Sequence, residues 1–255
     1  MCLILLAVRS HPSYDLILAA NRDEYYARAS LPPHFWEDAN QILAGRDLVG
    51  GGTWLGITRN GRIAAVTNYR NPAILVKDAP SRGRLVSDFL AGRQDPAEYL
   101  DHVRRKAEEY NGFNLLVGDL RGLYWFSNRE NGAIKLDHGF HGISNRLLDT
   151  PWPKVVRGKE LMAAALATEE PSANELFRLL EDRVRPADEL LPSTGVAPEW
   201  ERVLSPIFIE SPDYGTRSST LIFIGKDRRV TFLDRTFHPG TDRKVESRRF
   251  EFTVE

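Results

Sequence analysis

The sequence predicts an α+β chain in which two antiparallel sheets pack together with helices outside, as one domain over 1–255. Three observations carry this expectation. Short apolar runs fall into two groups on either side of a stretch with helical spacing. Neighbouring runs are joined by tight-turn residues, which favour antiparallel pairing. The last runs, Thr220–Gly225, Val230–Asp234 and Arg248–Val254, read as further antiparallel strands with buried character.

Cys2–Val8 is a continuous apolar run of strand length. His11-Pro12-Ser13 reads as a turn, and Asp15–Ala20 as a second buried strand, so 2–20 forms a hairpin. Asn21-Arg22-Asp23-Glu24 abuts that strand, where sites are often built. Pro32-Pro33 and the segment to Asn40 read as irregular, and Gly50–Gly52 as a flexible turn. Thr53–Thr58 and Arg62–Tyr69 are strands joined through Asn60-Gly61, a dipeptide suited to a type I′ hairpin. The second ends in Thr67-Asn68.

Two helices follow. One spans Ser81–Leu90 with Ser81 as cap. The other spans Asp95–Tyr110, where Asp95 caps, Pro96 takes the first position and Glu98 completes a box-like start. Ala97, Leu100, Val103, Ala107 and Tyr110 recur there at helical spacing. Phe113–Gly118 and Leu123–Ser127 are strands joined through Arg121-Gly122, and Ile143-Ser144-Asn145 ends another short segment. Pro151 opens a helix to about Ala167, and Ser172 caps another to Val184. The segment 185–206 is Pro-rich and reads as a surface excursion.

Composition narrows the function classes. The 255 residues carry 34 Lys and Arg against 35 Asp and Glu, a net charge of -1, so bulk charge offers nothing to nucleic acid. The single cysteine excludes an internal disulfide, a thiolate zinc site and an iron–sulfur cluster. No apolar run approaches the roughly 20 residues of a membrane span, and no basic stretch precedes Leu3–Val8. The expected address is the cytoplasm. Oligomeric state is not legible.

The lone cysteine is Cys2. Removal of Met1 would give it a free α-amine beside its thiol. The amine can take the thiol proton and later donate it to a leaving group, so one residue supplies both nucleophile and base. The plain alternative is a small apolar residue opening a core strand. Arg22 and Asp23 return toward Cys2 in an antiparallel hairpin. Arg22 would favour the thiolate or hold a substrate carbonyl or carboxylate, and Asp23 would orient the α-ammonium. A surface ion pair is their plain alternative. Asn68 and Asn145 each end a strand, where they can either stabilise an oxyanion or shape a turn. Arg217, in YGTRSST, can point into a cleft as an anion contact or cap a turn. Gly50–Gly52 lacks the Lys-Ser/Thr of a phosphate loop. His138 and His141, in HGFH, lack a third metal ligand and read as a turn.

LILAANRDEYYARAS, GGTWLGITRNGRIAAVTNYRNP, YNGFNLLVGDL, HGISNRLLDTPWPK and YGTRSSTLIF resemble, in order, the blocks of the NRDE family. That family is also called the transport-and-Golgi-organisation family, and the resemblance covers essentially the whole chain. It is in turn similar to the N-terminal nucleophile hydrolases of the choloylglycine hydrolase and penicillin V acylase group. The resemblance implies a four-layer αββα sandwich of two antiparallel sheets. It implies Cys2 as nucleophile, with Arg22 and Asp23 matching the group's Arg and Asp, although the two are adjacent here and separated there. Asn145 matches the group's Asn, Asn68 is a second oxyanion contributor, and Arg217 resembles a late Arg that supports the nucleophile.

Two functions follow as expectations. The first is hydrolysis of a small-molecule non-peptide amide or thioester, with no cofactor required. The second is a non-catalytic carrier of haem or an acyl lipid. Family association with haem trafficking and lipid homeostasis motivates it. A scaffold with a decayed site is the bland third reading.

Overall fold

The computed structural model describes residues 2–238 and 245–255. The first part of the chain holds β1 (Cys2–Val8), β2 (Tyr14–Tyr25), β3 (Ser30–Phe35), β4 (Ile42–Asp47), β5 (Leu55–Thr58) and β6 (Ile63–Asn68). Helices α1 (Gly83–Ala91) and α2 (Pro96–Arg104) come next, then β7 (Phe113–Asp119), β8 (Gly122–Ser127), β9 (Ala133–Lys135) and β10 (Gly139–Ile143). Helices α3 (Pro153–Ala165), α4 (Ala173–Leu180) and α5 (Pro198–Val203) precede β11 (Tyr214–Gly225), β12 (Arg229–Phe237) and β13 (Val245–Thr253). These elements form two compact units, each assembled from separated segments.

The unit of 1–27, 138–144 and 148–252 holds a six-stranded sheet in the order β10-β1-β2-β11-β12-β13. Leu3, Leu5 and Ala7 of β1 and Ile17 and Ala19 of β2 pack with Val155 and Met162 of α3 and Leu176 and Leu180 of α4. The intervening residues Ile4, Leu6, Leu18 and Ala20 are buried as well. Apolar burial on both faces is why these strands read as continuous runs rather than alternating ones. Helix α3 lies close to β1 at Gly158, where an added Cβ would stand 2.8 Å from Leu5. That approach needs a residue without a side chain.

The unit of 28–137, 145–147 and 253–255 holds a seven-stranded sheet running from β3 to β9 in chain order. Val86, Phe89 and Leu90 of α1 and Tyr99, Leu100 and Val103 of α2 pack with Ile42, Ala64, Val66, Leu115 and Val117 of that sheet. Its neighbouring strands are joined by short connections except β6 and β7, between which α1 and α2 intervene.

Several elements differ from expectation for local physical reasons. The segment with Pro32-Pro33 is strand β3, not irregular chain. It lies at the sheet edge, and its pairing with β4 skips between Leu31 and His34, so the prolines' missing N–H groups break no ladder bond. The Asn60-Gly61 turn is not type I′, because only Gly61 has positive φ, at 78°. The turn instead spans 59–61, with Thr58 N bonded to Arg62 O and Gly61 in the left-handed position. Arg82, not Ser81, precedes α1, and Ser172 precedes α4 without a side-chain cap bond. Helix α2 stops at Arg104, with a separate 3-10 turn over Ala107–Glu109, and α4 stops at Leu180. The Pro-rich excursion contains α5, which Pro198 opens. Among the described residues no helix is long and apolar enough to cross a membrane.

Candidate active site

Both NRDE and YGTRSST lie inside strands rather than beyond them: β2 runs to Tyr25 and β11 begins at Tyr214. Their polar stretches pair with each other because each abuts the apolar half of its own strand. Cys2 pairs with Arg22, and Arg22 with Ser218. Cross-strand partners share a face, so these three side chains form a row on the face of the sheet opposite α3 and α4. A bulge between Thr216 and Ser218 leaves Arg217 out of register, and Thr216 stands opposite Asp23. Asp23 thereby shares the helix-covered face with Asn21.

Asp23 is 1 % exposed and Arg22 is 5 % exposed, so two ionisable side chains are buried on opposite faces at the end of an apolar strand. The Thr216 hydroxyl donates to Asp23 Oδ1 at 2.8 Å and accepts from Ile209 N at 2.9 Å. The Tyr214 hydroxyl donates to the Asp23 carbonyl at 3.0 Å. Burial pushes the Asp23 carboxyl above its ordinary value, and Lys154, the Thr216 hydroxyl and Arg22 oppose that rise. Cys2 retains partial solvent exposure. Even so, the protein around its thiol raises the thiol's pKa, and the Asp23 carboxylate adds to the rise. Arg22 and a hydrogen bond from the Asp23 main chain favour the thiolate. The Ser144 hydroxyl donates to the Cys2 carbonyl at 3.3 Å.

Asn21 has a structural part in this arrangement. Its Nδ2 donates to the carbonyls of Leu180 at 2.7 Å and Ile207 at 3.0 Å, and its Oδ1 accepts from the Ser219 hydroxyl at 2.6 Å. It anchors the polar end of β2 to the end of α4.

The remaining expected residues divide by location. Asn68 and Asn145 meet in the other unit, where Asn145 Nδ2 donates to the Asn68 carbonyl at 2.9 Å. The Asn145 carbonyl accepts from Arg70 N at 2.8 Å. Arg217 sends Nη1 to the carbonyls of Tyr25 and Tyr26, both at 3.0 Å, and so braces the chain where it leaves β2. His141 directs Nδ1 to Asp149 Oδ2 at 2.9 Å, and Lys159 joins the same carboxylate at 2.7 Å.

Sequence reasoning missed Lys154, Thr216, Tyr214 and Ser144. The signal for Thr216 was present: a polar run enters the apolar strand β11 as one leaves β2, and antiparallel pairing aligns the two. Lys154 carries no such signal, since its burial is set by segments distant in sequence.

The sequence profile of the Transport and Golgi organisation 2 family matches residues 1–239. The human Transport and Golgi organization protein 2 homolog is 37 % identical over 276 residues, covering 100 % of both chains. The chain belongs to this family. The Drosophila melanogaster Transport and Golgi organization protein 2 is 28 % identical over 267 residues, covering 92 % of each chain. Among solved structures, this family member is similar to a Caenorhabditis elegans N-acylethanolamine-hydrolyzing acid amidase ortholog. The TM-score is 0.54 at 11 % identity, over 87 % of this chain and 92 % of that one. It is also similar to the C2A mutant of the conjugated bile acid hydrolase from Clostridium perfringens. That TM-score is 0.52 at 10 % identity, over 100 % and 97 % of the two chains. At such identity the likeness shows fold alone: an α+β chain with two antiparallel sheets and few helices.

Proposed function

We propose that this Transport and Golgi organisation 2 protein is an N-terminal cysteine hydrolase of small-molecule, non-peptide amide or thioester bonds, active once Met1 is removed. One observation carries the reading: the lone thiol, at position 2, pairs across the sheet with a buried Arg22 that is followed by a buried Asp23. Two buried charges at a strand end are costly to folding and need a purpose beyond stability. The printed names of the two structural neighbours, an amidase and a bile acid hydrolase, favour the same reaction class. One was studied with its own position-2 cysteine replaced.

In this mechanism the Cys2 sulfur attacks the carbonyl carbon while its proton passes to the Cys2 α-amine. The amine returns that proton to the departing nitrogen or sulfur, leaving an acyl-cysteine. Water, deprotonated by the same amine, then releases the acid and restores the thiol. A thiol whose pKa is raised needs such an internal base, because little thiolate is present beforehand. Asp23 holds the α-ammonium, and Arg22 favours sulfur anion and substrate oxygen. Asn68 and Asn145 as oxyanion donors, and Arg217 as a support for the nucleophile, remain parts of the proposal. A cytoplasmic location fits a free, unpaired thiol.

The test pairs intact mass with a screen of amide and thioester substrates. Loss of Met1 and a turnover abolished by Cys2→Ala in a folded protein are the expected results. Retained Met1 would sink the mechanism. A Soret shift on haem titration that vanishes in the Cys2→Ala variant, with no turnover of any substrate, would favour the carrier instead.

A further inference from the structure

Arginines from three distant segments meet in the unit of the seven-stranded sheet: Arg82 just before α1, Arg129 just after β8, and Arg146 from the short segment 145–147. Tyr69 and Gly112 are their common floor. The Gly112 carbonyl accepts from Tyr69 N at 2.9 Å and from Arg82 Nη1 at 3.0 Å. A Cβ added at Gly112 would stand 2.9 Å from Tyr69 Cβ and 3.2 Å from Arg129 Nε, so the contact leaves little room for a side chain. Arg146 Cζ lies over the Tyr69 ring, 5.0 Å from its centre. The main chain beneath two of the arginines is anchored as well. Asn114 Nδ2 donates to the Arg146 carbonyl at 2.8 Å, and Arg129 N donates to the Ser127 hydroxyl at 3.2 Å.

Like charges gathered around one point repel each other. Arg129 and Arg146 have no ion-pair partner among the described residues, and Arg129 Nε is a buried donor without an acceptor among them. Burying such a donor is costly to folding. The net charge of -1 gives the chain no general attraction for anions, so this convergence is a local feature.

We propose that Arg129 and Arg146, braced by Arg82 and Tyr69, form a binding site for a phosphate group. A guanidinium presents its N–H groups as a planar fork that matches phosphate oxygens. Two forks and a third positive charge suit a phosphate monoester, which has more terminal oxygens and more charge than a carboxylate. The stack of Arg146 on Tyr69 fixes the plane of one fork. Arg82 commits one nitrogen to Gly112, so it holds the floor in place while adding its charge. The site makes no use of Cys2 and stands apart from the hydrolase reading.

The test is calorimetric titration of the full chain with inorganic phosphate at constant ionic strength, with acetate as the comparison. Saturable phosphate binding, tighter than acetate, is the expected result. Arg146→Gln and Arg129→Gln should each weaken it about tenfold or more. Arg146→Lys should lose less, because the charge stays. Arg178→Gln, on α4 in the other unit, should change nothing. No saturable binding, equal binding of acetate, or binding unaltered by both Gln variants overturns the proposal. Should Arg129→Gln fail to fold, Arg146→Gln decides alone, since Arg146 is exposed. Vesicles of phosphatidylcholine with and without phosphatidic acid identify the source of the phosphate. Co-sedimentation that requires phosphatidic acid and is lost in Arg146→Gln assigns it to a lipid headgroup. Absent or unaltered co-sedimentation assigns it to a soluble phosphate ester.

Discussion

Asp23 and Asp234 are both 1 % exposed and both lie in the six-stranded sheet, yet their surroundings differ in kind. Burial raises the pKa of each. At Asp23 the first opposing influence is a buried cation, Lys154. At Asp234 it is a hydroxyl: Thr220 donates to Oδ2 at 2.7 Å and Thr236 to Oδ1 at 2.8 Å. Arg248 helps less, and it shares its charge with Glu246 at 2.9 Å. Hydroxyls satisfy either protonation state of a carboxyl, whereas cations demand the charged one. The sheet therefore holds one buried carboxyl whose rise is opposed first by a cation and one, opposed first by a hydroxyl, whose pKa is pushed up to about 6.

The largest expected effect breaks the first of these. Asp23→Leu strands the buried Lys154 and Arg22 without their carboxylate and should cost about 3–5 kcal/mol in denaturant unfolding. A near-neutral result would mean that the two cations do not depend on Asp23.

The second effect is a pH dependence at Asp234. Its folded pKa of about 6 lies above the ordinary 3.8. The folded state therefore binds a proton more tightly than the unfolded one. The stability this gives is fully present below the ordinary value and is lost as pH rises through the folded one. Relative to Asp234→Asn, the parent protein should lose roughly 3 kcal/mol between about pH 4 and pH 6, then no more. A flat difference across that window would show that Asp234 is not a neutral buried acid.

The smallest effects compare the two hydroxyl donors. Thr216→Val removes the donor to Asp23 Oδ1 and the acceptor for Ile209 N together, and should cost about 2 kcal/mol. Thr220→Val removes one bond to a group that can be neutral, and should cost about 1 kcal/mol while raising the Asp234 midpoint. Thermal unfolding of the pair checks the order, and a reversed order would erase the distinction between the two carboxyls.

Much of this was legible in the residues. The apolar runs of β1, β2 and β11 are buried on both faces, and such strands announce themselves without periodicity. The abrupt switch from LILAA to NRDE marked a polar strand end, and the lone cysteine at position 2 marked the thiol. Less legible was β3, because two prolines hide a strand wherever edge placement excuses them. Lys154 was invisible, since a lysine beside a helix-opening proline reads as an exposed first-turn residue.

By itself the sequence determined that the strands are apolar, that their polar ends abut, and that one thiol stands among them. These are consequences of local composition, and antiparallel pairing carries them into space. Only the tertiary structure decided which polar residue faces which. Without the bulge after Thr216, Arg217 would stand opposite Asp23; with it, Thr216 does, and Arg217 turns to the carbonyls of Tyr25 and Tyr26. A shift of one residue moves a side chain to the other face of a sheet. That shift, together with the burial of Lys154 by segments far along the chain, distinguishes Asp23 from Asp234.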